Sequence, residues 1–146
     1  MATDFVPAEQ CPRMDVESLI AAAREAADRA IAPYSAYPVG AAIATPSGTY
    51  RGCNIEVANY SNSIHAEALA LARALYAGER TFEALAVSTA ARDGASPCGT
   101  CRETLKEFCP PTLPVYLDTG DGYETYTLAE LLPAAFDPET LDRRPS

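Results

Sequence analysis

His65 is the only histidine in the chain; it precedes Glu67 by two residues, and further along stands the run Pro97-Cys98-Gly99-Thr100-Cys101. Cysteines at i and i+3 share a face of one helical turn, so Cys98 and Cys101 can grip a single metal ion. Imidazole with two thiolates suits Zn²⁺ and leaves a fourth tetrahedral position open to water. Glu67 separates a working metal from a structural one. A structural zinc is closed by four ligands and has no use for a neighbouring carboxylate. Hydrolytic chemistry needs an open position and a base that can take a proton from water. For a closed site, Cys53 is the candidate fourth ligand. Arg102, next to Cys101, is placed to donate to a thiolate.

These groups are useful only if the chain brings them together. Residues two apart on a regular helix are separated by about 200°, so His65 and Glu67 cannot sit side by side in a helix interior. The pair belongs at a helix start, and the polar run Ser61-Asn62-Ser63 before it agrees. The Ala- and Leu-rich segment 65–77 then reads as a helix closed by Gly78. Pro97 is well placed for the first helical position, and 98–108 reads as a helix ending before Pro110-Pro111. Both metal-bearing segments are thus helix N-termini, whose positive dipole ends favour thiolate and hydroxide.

Upstream, Asp15 can cap a helix whose Val16, Leu19, Ile20, Ala23, Ala27 and Ala30 recur at helical spacing, with Pro33 as its end. Residues 39–45 and 49–54 flank Pro46-Ser47-Gly48 and read as a hairpin. Residues 84–89 read as a buried strand, 115–117 and 123–127 as short strands, and 128–132 as a brief helix. The order α, β, β, α, β, α, β, β, α predicts one α/β domain over residues 15–136. A loose arm, residues 1–14, precedes it and a solvated tail, residues 137–146, follows.

Composition narrows the partners. At 146 residues, with 48% hydrophobic and 21% charged residues, the chain can build one core without disulfides. The net charge of -9 repels polyanions, so neither nucleic acid nor an anionic membrane surface is expected as a partner. No apolar run approaches the roughly 20 residues of a membrane span. The first residues carry Asp4, Glu9, Arg13, Asp15 and Glu17 rather than a signal-type apolar segment, so a cytoplasmic location is expected. Five cysteines are an odd number and a poor disulfide framework, which points Cys98 and Cys101 to metal chemistry.

A His-x-Glu followed by Pro-Cys-x-x-Cys is the pattern of zinc deaminases. Around it, residues 32–136 resemble the small cytidine deaminases of pyrimidine salvage. The resemblance is carried by Ala32-Pro33-Tyr34-Ser35, Pro38-Val39-Gly40-Ala41-Ala42, Gly52-Cys53-Asn54-Ile55-Glu56, both zinc segments with Cys101-Arg102-Glu103, and Glu130-Leu131-Leu132-Pro133. It implies a three-layer α/β/α sandwich on a mixed, about five-stranded sheet, with one Zn²⁺ per chain held by His65, Cys98 and Cys101. It also implies that Glu67 shuttles protons while zinc-activated hydroxide attacks C4 of cytidine or 2′-deoxycytidine. Asn54 and Glu56 match the residues that hold the ribose hydroxyls, and Ala66 the one whose backbone N–H meets the pyrimidine. Tyr37 falls where the family usually has a Phe against the base. Tyr60 and Phe136 match positions at subunit contacts, Phe136 reaching a neighbour's active site, which implies a homotetramer with shared sites.

Three other functions compete: a deaminase of a modified cytosine nucleoside or a blasticidin S-like compound, a nucleic-acid-editing deaminase, and a non-catalytic zinc-stabilised interaction module. The charge counts against the second of these. The chain also departs from the small tetrameric pattern twice, with His65 where Cys is common and Ala68 where Arg is common. Three thiolates on Zn²⁺ leave one net negative charge that an Arg can offset; one neutral imidazole with two thiolates sums to zero, so the Arg is dispensable. His65→Cys should therefore lower turnover, because a more negative core makes the water less acidic, and adding Ala68→Arg should recover part of the loss. Steady-state kinetics on the two variants checks this; equal activity in both contradicts it.

Overall fold

Strands β2 (Val39–Thr45) and β4 (Ala84–Thr89) are buried on both faces, as only central strands with a cover on each side can be. The structure, a computed structural model, describes residues 6–7 and 15–142. Its mixed sheet adds β1 (Val6–Pro7), β3 (Gly48–Cys53), β5 (Pro114–Asp118) and β6 (Tyr123–Thr127), in the order β1-β3-β2-β4-β5-β6. All neighbouring pairs are antiparallel except β4 and β5, which run parallel. Helix α1 (Val16–Ala27) covers one face, and α2 (Ala66–Tyr76) and α3 (Gly99–Phe108) cover the other. The short helices α4 (Leu128–Leu131) and α5 (Glu139–Asp142) follow the last strand.

The alternation of side chains along β2 makes this three-layer arrangement. Ala41 and Ile43 point to the α2 and α3 side with Leu85 and Val87, while Ala42 and Ala44 join Ala84 and Ala86 against Leu19, Ile20 and Ala23 of α1. The sheet's residues beneath α1 are alanines, so the helix lies close. At Gly40 it lies closest: a Cβ there would stand 2.0 Å from the Ala23 carbonyl oxygen and 2.3 Å from the Ala27 nitrogen.

The expected α/β/α sandwich with five main strands is present, together with a sixth, two-residue strand. That strand corrects the reading of residues 1–14 as a wholly loose arm, since Val6 and Pro7 pair with Thr49 and Gly48 on the edge of β3. The rest of the arm, and the tail beyond residue 142, lie outside the described residues. Helix α1 starts where predicted, with the Asp15 carboxylate accepting from the Ser18 N–H at 2.6 Å, but it ends before Ala30. The chain leaves the helix because the Ile31 amide is taken by the Asn54 carbonyl at 3.0 Å, which bridges Ile31 to Ile55.

One ion pair locks α1 to the end of β5. Arg24 donates from Nε and Nη2 to the two Asp118 oxygens, both at 2.7 Å, and Ser88 Oγ and the Gly120 N–H donate to the same carboxylate. These donors, Arg24 foremost, hold the buried Asp118 carboxyl down at about 2. Because its pKa is depressed on folding, the stabilisation is present above the unfolded value near 3.8 and is lost as pH falls through about 2. Asp118→Ala should cost about 3 kcal/mol at neutral pH, since Arg24 and Ser88 lose their acceptor. Urea denaturation should show the gap between wild type and variant shrinking as pH falls from 4 towards 2.

Candidate active site

The two helix starts carry the metal donors. His65 is the residue before α2 and Cys98 the residue before α3; both are extended, and neither side chain caps its own helix. Freed from capping, the three donors meet: His65 Nδ1 lies 3.3 Å from Cys98 Sγ and 3.3 Å from Cys101 Sγ, and all three ligand atoms fall within 4.8 Å of one another. An N/S/S set of that size is the donor chemistry of zinc. One short bridge ties down the residue before His65. Ile55 exchanges hydrogen bonds with Ile64 at 2.9 and 2.8 Å, so the residue before His65 is tied beside Asn54.

Glu67 lies in the first turn of α2, 5% exposed, with Oε2 3.6 Å from Cys101 Sγ. Burial pushes its carboxyl up from the ordinary range, against the opposing pull of Cys101 and His65. Burial likewise raises the Cys101 thiol, with Glu67 and Cys98 adding to the effect. A divalent cation among the donors inverts that balance, because a coordinating thiol gives up its proton.

A pocket of about 230 Å³ opens beside these groups, lined among others by Tyr37, Asn54, His65, Ala66, Glu67 and Cys98. Asn54 clamps its wall: Oδ1 accepts from the Val39 N–H at 2.9 Å and Nδ2 donates to the Tyr37 carbonyl at 2.9 Å. One amide hydrogen and one oxygen lone pair of Asn54 remain for a further partner. Glu56, Tyr60 and Phe136 do not line the pocket of the single chain. Glu56 accepts from the Ser35 N–H and hydroxyl, Tyr60 is 67% exposed with its ring edge-on to Tyr34, and Phe136 is 58% exposed.

The family model for the cytidine and deoxycytidylate deaminase zinc-binding region matches residues 13–117. The chain belongs to the cytidine and deoxycytidylate deaminase family. It is 49% identical over 131 residues to a cytidine deaminase of Sporosarcina psychrophila, covering 88% of this chain and 96% of that one. The cytidine deaminase of Burkholderia pseudomallei superposes with a TM-score of 0.80 at 40% identity, over 84% of this chain and 100% of that structure. The Mycobacterium tuberculosis cytidine deaminase superposes with a TM-score of 0.75 at 31% identity, over 85% and 98% of the respective chains.

In this deaminase, two residues singled out in the sequence serve other ends. Arg102 reaches no thiolate. Its guanidinium donates to the Pro97 carbonyl at 2.6 Å, the Leu131 carbonyl at 2.5 Å and Ser96 Oγ at 2.7 Å, bracing the segment before Cys98 against α4. Cys53 is not with the metal donors; its thiol donates to the Arg29 carbonyl at 3.5 Å. Thr89, Ala95 and Ser96 line the pocket without any sequence signal, because only the turn from β4 into α3 brings them there. Gly52 also gave no chemical signal, yet α2 rests on it: a Cβ there would stand 2.3 Å from the Ala66 carbonyl oxygen and 2.4 Å from the Ala70 nitrogen. Gly52→Ala should displace the first turn of α2, lowering stability by roughly 1–3 kcal/mol and weakening zinc retention. Thermal unfolding and a competitive chelator titration read the two effects.

Proposed function

We propose that this chain is the zinc-dependent hydrolytic deaminase that converts cytidine and 2′-deoxycytidine, with water, to uridine and 2′-deoxyuridine plus ammonia. The observation that carries the reading is the buried Glu67 carboxylate placed between a three-donor metal cluster and the pocket. His65, Cys98 and Cys101 hold the zinc. When bound, zinc supplies the Lewis acidity that brings the pKa of a water towards neutrality. Glu67 takes one proton as water adds to C4 and delivers it to N3, then takes the proton of the new C4 hydroxyl and passes it to the amino group, so that ammonia leaves as the C4 carbonyl forms. Burial raises the Glu67 carboxyl from the ordinary range, and a bound cation would act against that rise.

The other residues bind. The Ala66 N–H, at the start of α2, faces the pyrimidine; the free donor and acceptor of Asn54, with Glu56, take the ribose hydroxyls; the Tyr37 ring lies against the base. Tyr60 and Phe136 serve the site of a neighbouring subunit in a homotetramer. That assembly is supported by the exposed Ile31, Tyr34, Val57, Tyr60 and Ile64, a concentration of large apolar side chains that a monomer has reason to cover. The place of work is the cytoplasm and the metabolic role pyrimidine salvage. Cys53, Cys98, Cys101 and Cys109 are all free thiols, in keeping with a reducing compartment, and no described helix is long and apolar enough to cross a membrane.

Glu67→Gln separates this reading from a merely structural zinc. The variant should keep about one zinc per chain and its thermal midpoint, while kcat on cytidine falls by roughly 10²–10⁴-fold. Unchanged turnover would show that Glu67 is not the proton carrier.

A further inference from the structure

Tyr37 and the loop leading to Cys98 both line the pocket, and one carboxylate joins them. The Tyr37 hydroxyl donates to Asp93 Oδ2 at 2.7 Å, while Asp93 Oδ1 accepts from Thr89 Oγ1 at 2.9 Å and from the Ala95 N–H at 3.3 Å. Asp93 sits between two residues with positive φ, Arg92 at 47° and Gly94 at 71°, so the chain bends sharply on both sides of it. The bend is held from the sheet by the Gly94 N–H, which donates to the Asp118 carbonyl at 2.9 Å, and by the Ala90 N–H, which donates to the Pro38 carbonyl at 3.1 Å. On the far side, the Tyr37 carbonyl is held by Asn54. The Tyr37 side chain is therefore fixed at both ends, its backbone by the wall that meets the sugar and its hydroxyl by the loop that carries Ala95, Ser96 and Cys98.

We propose that Asp93 is a positioning residue for this reaction: it touches neither substrate nor metal, and sets nucleoside affinity by holding the Tyr37 ring across the mouth of the pocket. The inference rests on the reading of this pocket as the cytidine site. An aromatic side chain 37% exposed would otherwise lose rotamer freedom each time a base binds. With the hydroxyl anchored, that ordering is completed on folding, and the ring offers its face at little further cost. A hydrogen bond to an ionised carboxylate is strong enough to do this, and Asp93 stays ionised: the Tyr37 hydroxyl, above all, holds its carboxyl below the usual range. The phenol hydrogen, being taken by Asp93, is not available to donate to the substrate.

The test is steady-state kinetics on cytidine for wild type, Asp93→Ala, Asp93→Asn, Tyr37→Phe and the Asp93→Ala/Tyr37→Phe double variant, with zinc content and thermal midpoint measured on each. Asp93→Ala should raise KM about tenfold with kcat within about twofold. Tyr37→Phe should raise KM by a similar factor, and the double variant no further, because both changes break one link. Asp93→Asn, whose carbonyl still accepts the phenol hydrogen, should return KM most of the way to wild type. An unchanged KM in Asp93→Ala, or KM effects that multiply in the double variant, would overturn the proposal. So would a fall in kcat at constant KM. If Asp93→Ala loses its fold, Tyr37→Phe breaks the same link from the other side and decides alone. A wild type that turns over no cytidine counts against the proposed function itself, and shows before any variant is compared.

Discussion

Three donors that lie far apart in sequence must meet within one coordination sphere, and the rest of the structure is arranged around that demand. His65 and Cys98 meet because α2 and α3 start at the same end of the sheet, on the same face. Neither residue is spent on capping, so both side chains are free to turn inward. The same placement directs the unsatisfied N–H groups of two first turns towards the donors, an electrostatic setting that favours anions. Burial raises the Cys101 thiol and the Glu67 carboxyl, the direction that favours their protonated forms. A bound metal's charge would act the other way at both groups, favouring the thiolate and the carboxylate.

Close packing makes the convergence accurate. Gly40 and Gly52 sit on paired strands at the pocket end of the sheet, and each leaves no room for a Cβ against a helix backbone. Gly40 meets α1 on one face and Gly52 meets α2 on the other, so the sheet is gripped from both sides next to the site. Ala66, Ala70 and Ala74 form the face of α2 turned to the core, small enough for that approach. Farther off, the Arg24–Asp118 pair fixes α1 to β5, and the Asp118 carbonyl also supports the bend at Gly94. The core and the pocket mouth therefore share one strand end.

Much of this was legible in the sequence, and the reasons differ by feature. The helix starts were readable because Asp15 and the impossible i, i+2 pairing of His65 with Glu67 are local constraints; Pro97, read as a first helical position, stands instead one residue before the Cys98 that precedes α3. The zinc donors were readable because few residue types bind zinc and their spacing is restrictive. The edge strand Val6–Pro7 was not, since two residues carry no period. The early end of α1 was missed because its cause, the Asn54 carbonyl, lies on another element. Arg102 looked like a thiolate partner from its neighbour in sequence, but three carbonyl and hydroxyl acceptors outside α3 claim its guanidinium. Asp93 is one acid among 20 Asp and Glu residues, and only the fold puts it opposite Tyr37.

The central claim is that this cluster and this pocket form a single working site for a cytosine nucleoside. Its most direct measurement is the ultraviolet absorbance of cytidine mixed with purified protein, with zinc content determined on the same sample before and after chelation. The account predicts steady conversion to uridine with about one zinc per chain, lost on chelation and restored when zinc is returned. Full zinc occupancy with no turnover of cytidine or 2′-deoxycytidine would contradict it.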